Sequence, residues 1–284
     1  MPVVSGFSNT ERIEQTNRGE LVVHLPKQFS FSQLAAFKTC PLQYKFAHIL
    51  KIPVFGRWTL SFGKSMHNTL QHFFTDWLER TGIQQPTLFD DPKTAVSADL
   101  IPVSLDELLK QYDASWIDEW YANDRQREAY RSNGRESLKR LFKQIETQRP
   151  DPLYLEQGFT LKIGDVILKG RIDRIDQCED GVEIIDYKTG TPKKLEDLER
   201  TDKEQLLLYQ IAARDILGLV PKKLTYYYLE NNTAVSFLGK DKDLIDLQEA
   251  IVDRVAKIRE SRFIPTPGFA CKYCDFNDIC EYRQ

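Results

Sequence analysis

Two short runs of the sequence, GRIDRID and IIDYKTG, bring acidic side chains and a lysine within reach of one another. Asp186 and Lys188 are two residues apart, and side chains two apart in an extended strand share a face. If the chain folds back as a hairpin, Asp173 on the neighbouring strand reaches the same place. Carboxylates packed this closely resist ionisation unless a cation lies between them. The pattern therefore indicates a site for a hard divalent cation, Mg²⁺ or Mn²⁺.

A lysine beside such a cation has a role in phosphodiester hydrolysis. Lys188 can orient an attacking water or stabilise charge on a phosphate. An Asp-x-Lys pair on a strand is more often a solvated ion pair, so further residues are needed. Those residues follow in order along the chain: His67 in GKSMH, Glu156 before the first strand, then Gln205 and Tyr209, four apart on one helix face. Each also has an ordinary interpretation, as a helix histidine, a surface charge or a core aromatic.

The C-terminal segment CKYCDFNDIC contains three of the five cysteines, Cys271, Cys274 and Cys280. A C-x-x-C pair chelates one centre from a tight turn, and a third thiolate leaves a four-cysteine site one ligand short. Cys40, in KTCPLQYKF, is the candidate for that ligand, although a lone distant cysteine is ordinarily a small buried hydrophobic residue. Cys178, in an expected turn, keeps that ordinary interpretation. By chemistry alone, four thiolates hold Zn²⁺ as well as iron.

The composition limits the class of protein. The chain has 284 residues, of which 41% are hydrophobic and 29% charged, and this excludes a disordered chain or a disulfide-stapled miniprotein. A formal charge of -3 means that any contact with nucleic acid must be local. No stretch approaches the roughly 18 to 20 apolar residues of a membrane span, and the first residues lack the order of a signal peptide. We therefore expect a cytoplasmic protein with no membrane partner, whose cysteines are metal ligands or buried thiols.

The spacing of apolar residues predicts which elements carry the candidate side chains. A period near 3.6 residues indicates helices, and a period near 2 indicates strands. We expect helices from about Phe29 to Cys40, ended by Pro41, and over 63–80, 105–124, 135–146, 203–217 and 242–260. We expect strands over 158–163, 166–176, 182–190, 224–230 and 234–239, with turns at Gly164-Asp165 and Asn231-Asn232. The candidate site would then lie on a hairpin and on the helix after it.

The series G-x-x-x-H, Glu, G-R-I-D, I-I-D-Y-K-T-G and Q-L-x-x-Y resembles the RecB-type branch of the PD-(D/E)xK nuclease superfamily. The resemblance implies a restriction-endonuclease-like α/β fold, with a mixed central sheet flanked by helices. It implies that His67, Asp173 and Asp186 are metal ligands and that Lys188 is the catalytic lysine. It also implies that Glu156 is an auxiliary acid.

Two further implications concern the supporting residues and the cysteines. The resemblance makes Gln205 and Tyr209 supporting or DNA-contacting residues. An early C-P cysteine followed by C-x-x-C-x5-C resembles the iron-sulfur staple of AddB-type nuclease domains, CRISPR-associated RecB-like nucleases and the exonuclease V group. This likeness implies a 4Fe-4S cluster, with Zn²⁺ as the less favoured occupant, held by Cys40, Cys271, Cys274 and Cys280.

The domain organisation follows from composition and periodicity together with this resemblance. We expect residues 1–25 to form a loosely held arm and residues 26–284 to form the nuclease domain. Within that domain, 81–150 would be a helical insertion, and 268–284 a cysteine-rich tail that pairs with Cys40.

The implied activity is that of a Mg²⁺- or Mn²⁺-dependent deoxyribonuclease, an exonuclease on single-stranded DNA or DNA ends in repair or recombination. Aromatic and arginine residues interleave over 116–131 and suit a single strand, although aromatics at helical spacing usually form core. There is no G-x-x-x-x-G-K-[ST] motif, so unwinding would need a helicase or repair-complex partner. The alternative is a non-catalytic DNA-binding or end-recognition subunit of a larger repair or CRISPR adaptation complex. The intact acidic and lysine pattern argues against that alternative.

Overall fold

A computed structural model of the protein describes residues 25–81 and 101–284. All but the last residue of the expected arm, and residues 82–100 of the expected insertion, lie outside these ranges. The chain divides into two compact units, whose described parts fall within Met1–Val54, Ile163–Leu168 and Ile251–Gln284 for the first and Phe55–Lys162 and Lys169–Ala250 for the second. No helix in the described ranges is long and apolar enough to cross a bilayer.

The first unit begins with three short elements, β1 (Phe29–Ser30), α1 (Phe31–Thr39) and α2 (Pro41–Tyr44), and a π-helical turn over Lys45–Ile49. Ser30 and Gln33 form a capping box, in which each side chain accepts a hydrogen bond from the other residue's backbone N–H. Pro41 ends α1 as predicted, because proline has no N–H to donate to the helix. It then occupies the first turn of α2, where that missing donor costs nothing.

Three helices pack together in the second unit: α3 (Trp58–Thr81), α4 (Leu105–Ser115) and α5 (Asp124–Thr147). Their inward faces form one core that includes Phe73, Trp77, Tyr112 and Leu138. α3 begins five residues before the predicted start at Gly63, since the helix continues through an apolar turn ahead of that glycine. The predicted helix over 105–124, by contrast, is too long, because α4 ends at Ser115 and the chain is extended at Trp116.

The predicted mixed sheet is confirmed. In the described residues it contains β1 and five longer strands: β2 (Pro152–Ile163), β3 (Val166–Cys178), β4 (Gly181–Lys188), β5 (Pro221–Tyr228) and β6 (Thr233–Phe237). The order is β1-β3-β4-β5-β6, with β2 paired to β3. β3 and β4 are antiparallel, as are β5 and β6, whereas β4 and β5 are parallel. Parallel neighbours need a crossover, and α6 (Arg200–Asp215) supplies it. The last long helix is α7 (Asp241–Glu260).

Helices cover both faces of β4, and this strand positions the candidate site. Ile185 and Tyr187 join the core formed by α3, α4 and α5. Val182, Ile184 and Asp186 alternate with them and are buried on the opposite face. The β3–β4 register pairs Arg174 with Ile185 and, carried one residue further, sets Asp173 opposite Asp186. The hairpin therefore presents both acids at one end of the strand pair.

Candidate active site

Lys188 and Asp186 share one face at the end of β4, as their spacing predicts. Lys188 Nζ lies 2.6 Å from Asp186 Oδ2. The carboxylate is almost completely buried, and the ammonium of Lys188 offsets its negative charge. Lys188 also donates to Gln205 Oε1, at 2.9 Å. A buried carboxylate is costly unless a cation lies close to it, so this ion pair is the arrangement of the metal-free protein.

His67 on α3 faces Asp173 across the hairpin. Its Nε2 lies 3.1 Å from the carbonyl oxygen of Tyr187, and its Nδ1 lies 3.5 Å from Asp173 Oδ2. A carbonyl can only accept, so Nε2 carries the proton and Nδ1 presents its lone pair to the carboxylate. Burial lowers the pKa of His67, which favours this neutral ring. When Asp173 is ionised, two acceptors therefore face one another, as two ligands of one ion do.

Glu156 completes this group of donors. One ligand atom each from His67, Glu156 and Asp173 lies within 4.8 Å of the other two. Glu156 adopts a φ of 48°, in the left-handed region that residues with a side chain rarely occupy. Such a conformation costs of order 1–3 kcal/mol and is typically kept where it serves a function. It also breaks the alternation of β2, so spacing alone does not reveal which face Glu156 uses.

The acidic side chains impose an electrostatic cost on one another. Burial, followed by the Asp186 carboxylate, raises the pKa of Asp173 to about 8. Glu156 acts in the same direction, whereas the backbone N–H of Tyr187, which donates to Asp173 Oδ2 at 2.9 Å, opposes it. A divalent cation would relieve this repulsion. One imidazole nitrogen and several carboxylate oxygens form a donor set that suits Mn²⁺ and Mg²⁺.

Gln205 and Tyr209 on α6 hold the lysine in place. Gln205 accepts from Lys188 through Oε1 and donates through Nε2 to the Tyr209 hydroxyl, at 2.9 Å. Gln205 and Tyr209 therefore lie on one face of α6, as predicted, and two hydrogen bonds in series connect them to Lys188. Burial, followed by the charge of Asp186, raises the pKa of Tyr209, so the hydroxyl stays protonated. In the metal-free protein this chain fixes the ammonium beside Asp186.

Tyr187 links the site to a buried arginine, Arg174, which the sequence patterns did not single out. Its backbone contacts both His67 and Asp173, and its hydroxyl accepts a hydrogen bond from Arg174 Nη1 at 2.7 Å. The Arg174 guanidinium stacks on Phe74, 4.2 Å from the ring centroid, and its Nε lies 2.9 Å from Asp176. Alternation along β3 was the available signal, since it places Arg174 on the face opposite Asp173 and towards the core.

Four cysteines line one cavity in the first unit, and they are Cys40, Cys271, Cys274 and Cys280. Thr266 Oγ1 donates to the carbonyl oxygen of Thr39 at 3.0 Å, which ties the two segments together. Burial acts to raise the pKa of the Cys40 thiol. Hydrogen bonds from backbone N–H groups, first that of Thr266, lower it by more, so the net pKa is below the usual value. The cavity thus stabilises at least one thiolate.

The aromatic segment expected to stack on DNA bases is largely packed within the protein. Trp116 and Tyr121 stack on each other, 5.4 Å apart, and Trp116 packs against the helical core. Arg131 lies over Trp116 and pairs with Asp113. The ordinary interpretation of these aromatics therefore holds for Trp116, whereas Trp120 is about half exposed.

The family assignment follows from a comparison over almost the whole chain. The model of the PD-(D/E)XK nuclease superfamily matches residues 28–281. The chain belongs to this superfamily. Members of this superfamily are hydrolases that cleave nucleic acid with divalent metals, so the group formed by His67, Glu156 and Asp173 gives this nuclease a candidate metal site.

Other comparisons add little to this assignment. The crystal structure of SSO0001 is 18% identical, with a TM-score of 0.33, and the match covers 56% of the nuclease and 80% of that chain. A crystal structure of a "Putative exonuclease" from Eubacterium rectale is 13% identical, with a TM-score of 0.47, and the match covers 90% of each chain. Neither likeness is strong enough to carry an argument. No curated protein matches the nuclease.

The geometry differs from the resemblance in which acid, Glu156 or Asp186, lies closest to the other candidate metal ligands of the nuclease. The resemblance made Asp186 a ligand and Glu156 an auxiliary acid. The three donors that approach one another most closely include Glu156, while Asp186 faces Lys188. Asp186 still acts on Asp173 through its charge, so both acids belong to one electrostatic group.

Proposed function

We propose that this nuclease is a Mg²⁺- or Mn²⁺-dependent deoxyribonuclease of the RecB type. We propose further that it is an exonuclease on single-stranded DNA or DNA ends, serving repair or recombination. The observation that carries the proposal is the grouping of His67, Glu156 and Asp173 within 4.8 Å, beside the Asp186–Lys188 pair. Duplex unwinding would fall to a helicase or repair-complex partner.

Each side chain has a task in this proposal. His67, Glu156 and Asp173 hold the cation through Nδ1 and carboxylate oxygens, and Asp186 adds a further buried oxygen. A bound divalent cation supplies Lewis acidity, which neutralises charge on the scissile phosphate and makes water a better nucleophile. Lys188 stabilises the negative charge that develops on the phosphate.

Gln205 and Tyr209 serve this proposal as positioning residues. Their hydrogen bonds restrict the Lys188 ammonium to one place, so it need not reorganise as charge develops on the phosphate. Tyr209 is buried and acts through Gln205 rather than on the substrate.

We also propose a 4Fe-4S cluster at the four cysteines. The four thiols line one cavity, as the ligands of a single metal centre would. Their arrangement along the chain, an early C-P cysteine followed by C-x-x-C-x5-C, resembles that of iron-sulfur nucleases and favours the cluster. Zn²⁺ remains the alternative occupant.

A panel of labelled oligonucleotides tests the substrate and the mode of cleavage. We expect Mn²⁺ or Mg²⁺ to support stepwise degradation of unblocked single-stranded DNA. Strands blocked at both ends should resist cleavage, and a chelator should stop it. Equal cleavage of blocked strands would contradict exonuclease action. Degradation of no DNA strand with either metal would contradict the proposal as a whole.

A further inference from the structure

A cavity of about 540 Å³ opens in the second unit, beside the candidate active site. Aromatic side chains of α3 and α5 form one wall, and the segment that follows β4 forms another. Trp58 and Tyr130 lie 4.2 Å apart between ring centroids, and Phe62 lies 5.4 Å from Tyr130. All three rings are only partly buried, so ring surface faces the cavity. Its volume falls within the range of small-molecule sites.

The cavity is lined by residues that adjoin the candidate active-site residues in the sequence. Its lining includes Met66, which directly precedes His67, and Thr189, which directly follows Lys188. Leu229, also in the lining, donates its backbone N–H to the carbonyl oxygen of Lys188 at 2.8 Å. A group bound in the cavity would therefore be next to a phosphate held at the candidate metal site.

The charges of the lining select a neutral ligand. One guanidinium, that of Arg140, and two carboxylates, those of Glu136 and Glu230, lie among the lining residues. Arg140 donates to the backbone carbonyl of Glu230 at 2.7 Å and Glu136 pairs with Lys139. This balance disfavours a phosphate in the cavity itself. Aromatic faces together with amide and hydroxyl groups, such as those of Asn133 and Thr189, suit a flat heterocycle with polar edges.

We infer that this cavity receives an unpaired nucleobase adjacent to the scissile phosphate. The inference rests on the proposed function and names its substrate class. A base within a duplex is stacked on its neighbours and paired along its edge, so it must leave the helix before it can enter such a pocket. The cavity would thereby restrict cleavage to single strands and frayed ends, with Trp58 and Tyr130 as the stacking residues.

Removal of one base from the substrate tests this inference. A single-stranded oligonucleotide with one abasic nucleotide should be cut roughly 5- to 150-fold more slowly next to that position, which corresponds to the loss of one stacked base. Tyr130→Ala should cut the intact and abasic strands at similar rates, both close to the wild-type rate on the abasic strand. Tyr130→Phe keeps the ring and should retain the discrimination. Phe55→Ala removes an exposed ring outside the cavity lining and should behave as wild type.

Binding provides a readout that does not require cleavage. In the Lys188→Ala variant, fluorescence anisotropy should show weaker binding of the abasic strand, and an added Tyr130→Ala substitution should abolish the difference. Retention of the full base effect in Tyr130→Ala, or equal handling of both strands by the wild type, would overturn the nucleobase site alone. Metal-dependent cleavage without any base effect would mean that the nucleobase site is wrong and the proposed function is right. The absence of any DNA cleavage would mean that the proposed function itself is wrong.

Discussion

At the scale of single residues, the side chains that suit a metal ion destabilise the protein when no metal is bound. Asp173 is mostly buried beside Asp186 and Glu156, and these surroundings raise its pKa to about 8. Glu156 adds backbone strain at a φ of 48°. In a protein without a bound cation both features are unfavourable, and a cation would offset the repulsion between the acids. Stability in the presence of a chelator is therefore a sensitive probe of these residues.

Asp173 predicts a dependence of stability on pH. Its folded-state pKa lies above the unfolded value of about 3.9, so the folded state binds more protons between pH 4 and pH 8. The metal-free protein should lose stability as the pH rises through this window. Asp173→Asn removes this contribution and should melt higher than wild type by about 2 °C or more at pH 8 in a chelator. Differential scanning fluorimetry at pH 5 and pH 8 measures the effect, and the exposed Asp253→Asn serves as the control.

The reverse result would contradict the account at this residue. If Asp173→Asn melted below wild type at pH 8 without metal, burial of this carboxyl among like charges would not be destabilising. Added Mn²⁺ should raise the melting temperature of wild type and leave that of Asp173→Asn almost unchanged.

Glu156 predicts different outcomes for two substitutions at one position. Glu156→Gly should lower Mn²⁺ affinity while leaving the chelated protein as stable as wild type or about 1 kcal/mol more stable, because glycine tolerates a positive φ. Glu156→Val also removes the carboxylate but places a β-branched side chain in the left-handed region, so it should destabilise the protein. Calorimetric titration with Mn²⁺ and urea unfolding measure the two effects. Equal stability of the two variants would argue against strain at Glu156.

At the scale of secondary structure, the hairpin of β3 and β4 and the helix α6 organise the site. The parallel pairing of β4 with β5 requires the crossover that carries Gln205 and Tyr209 back to Lys188. The backbone of Tyr187 contacts both His67 and Asp173, so its position along β4 determines how the two groups face each other. Arg174 anchors the ring of that tyrosine in the core.

Tyr187→Phe tests this anchoring. The substitution removes the acceptor of a buried arginine hydrogen bond, and a buried donor left without a partner costs about 1–3 kcal/mol. We expect urea unfolding to show that loss, together with weaker Mn²⁺ binding in a calorimetric titration. Tyr273→Phe removes a hydroxyl from an exposed ring and should change neither quantity. Unchanged stability and metal affinity in Tyr187→Phe would show that the arginine does not position the site.

Much of this arrangement of strands and helices was predictable from the sequence. Alternation along β4 placed Asp186 and Lys188 on one face, and the four-residue spacing of Gln205 and Tyr209 placed them together on α6. The left-handed backbone at Glu156 was not predictable, because it depends on neighbouring strands rather than on local residue preferences. The buried Arg174 was overlooked for a related reason, since a charged residue in a strand normally indicates a solvated face.

At the scale of the whole molecule, the first unit joins segments from distant parts of the chain. Cys40 and the three C-terminal cysteines line one cavity, and a group bound there would close a loop of roughly 230 residues. Burial, followed by the charges of Asp275, Cys40 and Cys280, raises the pKa of Cys274, so a metal centre would be needed to keep these thiolates together. We therefore expect the cluster to contribute to folding rather than to chemistry.

Cys274→Ser tests that contribution. The variant should lose bound iron and absorbance around 400 nm, and it should melt lower than wild type, because one ligand of the proposed cluster is missing. Cys178→Ser alters a cysteine outside the cavity and should keep the iron, the colour and the stability. Iron analysis of anaerobically purified protein measures the loss. A colourless wild type that contains zinc, or a Cys274→Ser variant that is cluster-free, stable and fully active, would contradict the proposed clamp.

Cleavage of labelled single-stranded DNA in Mn²⁺ by wild type, Asp186→Ala and Lys188→Ala tests the central claim most directly. We predict that each variant loses at least about 100-fold in rate while its circular dichroism spectrum matches that of wild type. Lys110→Ala, which changes an exposed lysine on α4, should cleave at the wild-type rate. Undiminished cleavage by both Asp186→Ala and Lys188→Ala would contradict the assignment of this site as the catalytic centre.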